Sequence, residues 1–376
     1  MKKKLAIIRA DESQLPFVLK AKEMGVETHC FSWDKEGYTH CKGIADYHHP
    51  ISILDKEKIL EKCKELKVDG VFTKSDNAVA TAAFVAGGMG LIGNNYEDMV
   101  IAANKYQARK TMFEKGVNSP RFVFLQKGQE TIDVSGLKYP LIVKPTDRKG
   151  SIGVVKVRNE AELKEGIQNA QKLSFNGEVL IEEFIQGSEV LEVMGISWNG
   201  KHYFLAIEDS ENINNETSFY KLGFSFPAKL NDEERQKVNT QAALALDALN
   251  FKYGATDVEV ILGDDGKAYI VEANPRMAGE WEHLMLELST GYDYLKGAIN
   301  VALNNFEEPV LPLNKCSGLY YLRPESEYLR PVIENWKDDP EIIEAEIFKN
   351  AGIGQPLGYL VYQSDRKRCW KPGHIV

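Results

Sequence analysis

Through its first hundred residues the chain alternates short apolar runs with helical periodicities, and this alternation limits the fold more than any other feature. The run K-L-A-I-I is followed by a helical stretch with apolar Leu15, Val18, Leu19 and Ala21 that stops at Gly25. V-E-T-H-C-F then reads as a strand, 56–67 as a helix, V-D-G-V-F-T as a strand and the alanine-rich stretch from 78 as another helix, with a strand after it. A βαβ series of this kind predicts a parallel sheet with right-handed crossovers, hence an α/β unit of Rossmann-like type. The turn after the first strand is R-A-D-E-S-Q, without G-x-G-x-x-G. A dinucleotide needs that close backbone approach, so NAD binding by this unit is excluded.

From about residue 118 the pattern changes. R-F-V-F-L, Y-P-L-I-V-K-P, I-G-V-V-K-V and E-V-L-I-E-E-F read as antiparallel strands around a helix at 160–172. E-V-L-E-V-M-G-I-S-W and K-H-Y-F-L-A-I-E form a hairpin across the Asn199–Gly200 turn. The polar segment 209–221 is expected to be a mobile loop. A helix at 232–249, a hairpin around Gly263–Gly266 and a helix from Trp281 follow, and the tail after about residue 311 reads as a small mixed subdomain.

With 376 residues, 43% apolar and 27% charged, the chain has material for two or three real cores. Its net charge of -9, without a long single-sign block, argues against non-specific binding to nucleic acid or an anionic membrane. Five scattered cysteines without a C-x-x-C pair, and an apolar N-terminal run too short for a signal peptide, point to a reducing, cytoplasmic setting. The alanine- and glycine-rich run 78–93 falls short of a membrane span.

Three constellations carry chemistry. In E-V-I-L-G-D-D-G-K-A-Y-I-V-E-A-N, Glu259 and Glu272 flank one turn and project from one face, with Asn274 two residues on. Two carboxylates and an amide oxygen are hard ligands suited to Mg2+, which shares its shell with substrate phosphates; a solvated hairpin edge is the alternative. Lys144 ends an apolar strand before T-D-R-K-G-S-I-G-V, whose backbone amides at Gly150 and Gly153 can close over phosphates, or simply form a turn. In V-L-I-E-E-F-I-Q-G-S-E-V a strand meets a linker that can offer its backbone to a base edge, with Glu189 placed for ribose hydroxyls; the alternative is a strand end with solvated acids.

In order and spacing, N-K-Y-Q-A-R-K-T-M-F-E-K-G-V, L-I-V-K-P, D-R-K-G-S-I-G-V, L-I-E-E-F-I-Q-G-S-E and D-V-E-V…Y-I-V-E-A-N-P-R together resemble the ATP-grasp superfamily over roughly residues 1 to 305. The resemblance implies an α/β plus α+β fold: a pre-ATP-grasp Rossmann-like domain at 1–104, an ATP-grasp lid and first lobe at 105–185, a second lobe with the metal site at 186–310, and a small C-terminal subdomain at 311–376. It implies ATP and Mg2+, or Mn2+ in its place. Lys105 and Lys144 would bind phosphates, under a lid loop of Lys149, Gly150, Ser151 and Gly153. Glu182, Glu183, Phe184 and Ile185 would form the adenine hinge and Glu189 would bind ribose. Glu259, Glu272 and Asn274 would hold the metal, and Arg276 the substrate anion.

Such proteins move the γ-phosphoryl onto a carboxylate and let an amine attack the acyl phosphate, so positioning and charge cancellation suffice without a protein nucleophile. The N-terminal half and N-P-R-M-A-G-E-W-E-H look most like the carbamoyl-phosphate-synthase-like carboxylate–amine ligases. Catalytic roles then fall to Arg276, Lys144 and Glu280, with a small carboxylate and an amine as partners and a homodimer as the assembly to test. A biotin-carboxylase-like enzyme is the alternative, because Glu280 lies where that enzyme carries its base; Ala278, however, stands where it needs a glutamine. Ile152 replaces a basic lid residue of close relatives, a charge that Arg148 or Lys149 would have to supply. A non-catalytic nucleotide-binding scaffold is the third reading, disfavoured by the intact metal ligands. The pairs His29–Cys30 and His40–Cys41, with His48 and His49, lack tetrahedral zinc spacing, and the stripe Trp281, Leu284, Met285, Leu288 reads as core.

Overall fold

A computed structural model of the chain describes residues 2–148, 150–212, 221–279, 281–349 and 355–370. The fold is mixed α/β, with one parallel sheet and two that are antiparallel throughout.

The alternating N-terminal segment gives a four-stranded parallel sheet in the order β3-β2-β1-β4, from β1 (Lys4–Ile8), β2 (Glu27–Phe31), β3 (Tyr47–His49) and β4 (Gly70–Phe72). Its helices are α1 (Leu15–Glu23), α2 (Lys56–Leu66) and α3 (Val79–Met89). Phe17, Val18 and Ala21 bury the inner face of α1, whereas Leu19, counted with them from its apolar character, is 53% exposed. A Cβ on Gly88 would lie 2.6 Å from Leu60 Cδ2, so glycine there lets α2 and α3 pack closely. The strand expected after the alanine-rich helix does not form. Leu91 and Ile92 lead directly into α4 (Tyr96–Ala103), whose N-cap Asn95 accepts from Glu97 N and Asp98 N.

The second sheet, β5-β8-β6-β7, comprises β5 (Phe122–Leu125), β6 (Leu141–Pro145), β7 (Val155–Val157) and β8 (Val179–Glu183). It follows α5 (Lys105–Glu114) and is backed by α6 (Glu160–Leu173), which buries Leu163, Ile167 and Ala170 against Val143, Val157 and Ile181.

The third sheet has eight strands in the order β13-β12-β9-β10-β11-β14-β16-β15. These are β9 (Leu191–Trp198), β10 (Lys201–Asn212), β11 (Lys221–Phe226), β12 (Gly254–Leu262), β13 (Ala268–Asn274), β14 (Cys316–Leu322), β15 (Ile342–Ile347) and β16 (Gly358–Ser364). The polar segment expected as a loop is therefore partly strand: 209–212 extend β10 and Lys221 opens β11, while 213–220 lie outside the described residues. The tail strands β14, β15 and β16 continue this sheet and also build an apolar cluster of their own around Leu322, Leu329, Leu360 and Trp370.

α7 (Asp232–Ala248) covers one face of the large sheet, and α8 (Glu282–Thr290) and α9 (Tyr294–Ala302) the other; α10 (Arg330–Glu334) packs beside β15. A capping box at Asn231 and Glu234 starts α7. One core runs from Leu5 of the parallel sheet and Phe17 of α1 through Tyr294 and Ile299 to Met194 and Phe224 of the large sheet. Gly70 makes this junction close, since a Cβ there would lie 2.4 Å from Ala302 O. In the expected apolar stripe Met285 is fully buried and Leu284 and Leu288 pack against this core, but Trp281 is 40% exposed and lies against Tyr359.

Candidate active site

The β12–β13 hairpin brings Glu259 and Glu272 into direct cross-strand register, and Asn274 opposite Asp257. Asn274 Nδ2 donates to Asp257 Oδ2 at 3.4 Å. Both Asn274 and Asp257 are buried, each 2% exposed. Burial, and then the charges of Glu272 and Glu192, push the Glu259 pKa up to about 7. A site that raises a carboxylate this way is short of positive charge, which a divalent cation would supply. Hard oxygen donors at three positions of one hairpin fit Mg2+.

Two lysines face these acids. Lys105, the first residue of α5, reaches Glu272 with its ammonium. Burial opposes its charge, but Glu272 holds its pKa above the ordinary lysine value. Lys144, at the end of β6, lies 2.6 Å from Glu182 Oε2, and Arg109 Nε of α5 donates to Glu182 Oε1 at 2.6 Å. The Glu182 carboxylate is buried, which would raise its pKa, yet Arg109 and Lys144 bring it below the ordinary value. Lys144 is lowered, by burial first and also by the charges of Arg109 and Lys105, against the pulls of Glu182 and Glu272. Lys105, Arg109, Lys144 and Glu272 line one cleft between the second and third sheets.

Arg276 lies just beyond β13. Its Nε donates to Asp76 Oδ1 at 2.8 Å, and its Nη1 pairs with Asp257 Oδ2. Asp76 follows β4, so the guanidinium ties the parallel sheet to the hairpin. Burial acts against its charge, yet Asp76 and Asp257 hold its pKa above the ordinary arginine value. Glu280 and Lys149, both expected in the site, lie outside the described residues.

The loop after β6 has left-handed backbone at Gly150 (φ 62°), Ser151 (φ 57°) and Gly153 (φ 79°). A Cβ at Gly153 would approach Pro145 Cγ to 2.9 Å, so glycine is required there on two counts. Arg148 stacks on exposed Phe175, 4.3 Å from its ring centre, at the base of this loop. In the strand-to-linker crossing, Glu183 N donates to Arg121 O and Phe184 N to Pro140 O, so both amides serve the second sheet. Ile185 follows the end of β8. Glu189 is exposed and accepts from Asn212 Nδ2 at 2.8 Å.

Sequence reasoning missed Arg109, Asp76 and Asp257, and with them Glu192, Glu208, Glu282 and Lys221. The signal available for Glu192 and Glu208 was an acid interrupting an apolar strand; for Asp76 and Arg109 no local signal exists, because their partners lie 200 and 73 residues away. Of the histidines near the first cysteines, two are joined: His29 Nδ1 lies 3.2 Å from His49 Nε2, and His29 Nε2 lies 2.9 Å from Glu27 Oε1. The five cysteines are free.

Residues 112–286 match the family described as D-ala D-ala ligase C-terminus. The carbamoyl phosphate synthase large chain of Thermoanaerobacter sp. is 27% identical over 319 residues, covering 83% of this chain and 29% of its own. The chain thus spans under a third of that curated relative's length. The L-amino acid ligase from Bacillus licheniformis superposes with a TM-score of 0.78 at 22% identity, covering 97% of this chain and 94% of its own. The biotin carboxylase domain dimer of the Hydrogenobacter thermophilus 2-oxoglutarate carboxylase, solved with MgADP, ADP and bicarbonate, gives 0.71 at 19% identity, covering 97% and 87%. The order of motifs, the hairpin of carboxylates facing two lysines and these matches agree: residues 112–286 resemble the D-ala D-ala ligase C-terminal family, and the chain as a whole has the fold of the L-amino acid ligase.

Proposed function

We propose that the chain is an ATP-dependent ligase that joins a small carboxylate to an amine through an acyl phosphate, releasing ADP and phosphate. The observation that carries this reading is the convergence of Lys105 and Lys144 with Glu272 in one cleft, backed by Glu259 and with Asn274 and Arg276 at the end of the same hairpin. Cations on one side and hard carboxylates on the other suit a metal-bound triphosphate, and the site needs no nucleophilic side chain.

In this reading the chain divides at 1–104, 105–185, 186–310 and 311–376, with ATP between the second and third parts. Glu259, Glu272 and Asn274 would hold Mg2+, which would neutralise phosphate charge. Lys105 and Lys144 would exchange their carboxylate partners for phosphate oxygens, and Gly150, Ser151 and Gly153, with Lys149, would close over them. Since the amides of Glu183 and Phe184 are engaged, the base edge would be met at Ile185, with Glu189 near the ribose. Arg276 would grip the carboxylate or its acyl phosphate, and Glu280 would serve the amine. We place the protein in the cytoplasm, as a homodimer in analogy to the carboxylase domain.

Pairwise screening of amino acids and small carboxylates with amines for ADP and phosphate release tests the proposal. Release should require Mg2+, one acid and one amine. Release driven by bicarbonate alone, and lost in Glu280→Gln, would establish the carboxylase reading; ATP binding without release for any pair would establish the scaffold. Ala278, buried at 1% exposure, favours the first outcome, since it offers bicarbonate no polar contact.

A further inference from the structure

A row of four glutamates crosses the large sheet in direct register: Glu272 on β13, Glu259 on β12, Glu192 on β9 and Glu208 on β10. The first two belong to the hairpin already described. The other two, with Glu282 from the first turn of α8, form a second nest in which one carboxylate oxygen from each lies within 4.8 Å of the others. All three residues are buried, at 8%, 0% and 2% exposure for Glu192, Glu208 and Glu282.

One ammonium, that of Lys221, reaches all three acids, and the charge of Lys74 also acts on Glu282. Lys221 Nζ lies 2.5 Å from Glu192 Oε1, 2.7 Å from Glu208 Oε1 and 3.9 Å from Glu282 Oε1. Ser210 Oγ donates to Glu208 Oε1 at 2.8 Å. Glu208 Oε2 and Glu282 Oε2 are fully buried and have no hydrogen-bond partner among the described residues. A buried carboxylate oxygen without a donor is costly, and the three acids outnumber Lys221 and Lys74, the two lysines whose charge acts on them. The nest is therefore built for one more donor-bearing cation than the described residues supply.

The chemistry of that cation follows from the nest. A small octahedral ion such as Mg2+ needs oxygens drawn in to about 2.1 Å, closer than oxygens spaced to accept from an ammonium. A primary ammonium needs hydrogen-bond acceptors about 2.8 Å away, which is how Lys221 is held. A quaternary ammonium has no N–H to give the two open oxygens. Because Glu192 is the register neighbour of Glu259, the nest lies one strand spacing, about 4.8 Å, from the carboxylate hairpin. The Lys221 side chain is 23% exposed, so the nest opens to solvent along it.

We infer that the Glu192–Glu208–Glu282 nest is the subsite for the primary ammonium group of the amine substrate, an inference that rests on the ligase reading above. The amine binds as its ammonium beside the activated carboxyl, on Glu208 Oε2 and Glu282 Oε2, and these acids select primary ammonium compounds over neutral ones; one proton passes to a carboxylate of the nest, and the neutral amine then forms the C–N bond as phosphate leaves.

The test is calorimetric titration of the intact protein with ethylamine hydrochloride, ethanol and tetramethylammonium chloride at equal ionic strength. Ethylammonium should bind with a millimolar or lower Kd and the other two should not. Glu208→Gln and Glu282→Gln should each raise that Kd at least tenfold with MgADP affinity unchanged, and Lys221→Met should lower it, a gain that loss of structure cannot imitate. The inference fails if wild type does not bind ethylammonium, if tetramethylammonium binds equally, if the glutamine variants bind like wild type, or if Mn2+ displaces ethylammonium one for one. Ethylammonium binding without ADP release from any acid–amine pair would overturn the ligase reading and leave a cation site; ADP release without ethylammonium binding would overturn the nest alone.

Discussion

Glu182 is the most exacting place to test the electrostatics of the cleft. Its carboxylate receives Arg109 Nε and Lys144 Nζ, each at 2.6 Å, and all three side chains are at most 8% exposed. Removing the charge from a buried pair costs about 3–5 kcal/mol, because the partner is left charged and out of water. Arg109 keeps the carbonyls of Ile270 and Val271, so the loss falls mainly on Lys144, which is already disfavoured by burial and by Arg109 and Lys105. Glu182→Gln retains one carbonyl acceptor and should sit at the lower end, about 3 kcal/mol, a large part of a total stability of about 5–15 kcal/mol. At an m of about 2 kcal/mol/M in urea, the unfolding midpoint should fall by roughly 1.5 M. Adding Lys144→Met to Glu182→Gln should recover most of it, because the stranded cation is gone.

The same pair sets a pH dependence. Glu182 has a folded-state pKa below its ordinary 4.5, so its contribution is complete above that value and is lost as pH falls through the folded-state pKa. The gap between wild type and Glu182→Gln should stay constant from pH 7 to about 5 and close toward pH 3. A midpoint shift below about 0.3 M at pH 7, or a gap that widens in acid, would refute the reasoning.

Three further outcomes are expected. Glu272→Gln should abolish Mg2+-dependent ADP release with the circular dichroism spectrum unchanged, and near-normal release would remove it from the metal site. Lys144→Ala should weaken ATP at least tenfold in a binding titration while adenosine affinity stays within twofold, and equal losses would count against a phosphate role. Arg276→Lys should lower kcat by tenfold or more, because an ammonium cannot make the paired contacts to Asp76, Asp257 and a bound anion that the guanidinium fork makes; a change below threefold would argue against that role.

The parts of the fold that could be read from sequence were those defined by local signals. β1, β2, α2 and α6 carry apolar periodicity between clear stops, as with Asn159, whose side chain accepts from Glu162 N at the start of α6. The Glu259–Glu272 pair was equally local, because the Gly263–Gly266 turn brings both strands together within a few residues. β3 is too short for a periodic signal, and β11, K-L-G-F-S-F, mixes small and polar residues into its run and follows a polar segment. The glutamate row was invisible for a different reason. Its members come from four strands spread over some 80 positions, and only the pairing register, including the bulge between Glu259 and Val260, decides that they face one another. The Arg276–Asp76 clasp likewise exists only once the parallel sheet docks on the hairpin.

The strand order of the large sheet has a consequence for how the chain is made. β11 gains its outer neighbour β14 only after residues 227–315 have been synthesised, and β16, the last strand among the described residues, must then enter between β14 and β15. At about 5–20 residues per second on the ribosome, the free edge of β11 stays unpaired for on the order of 10 s in every newly made copy. The final register of the sheet therefore waits on its most C-terminal strand. A chain released before residue 364 has its cleft of lysines and carboxylates encoded in full and its sheet still open along an edge that other nascent chains can pair with.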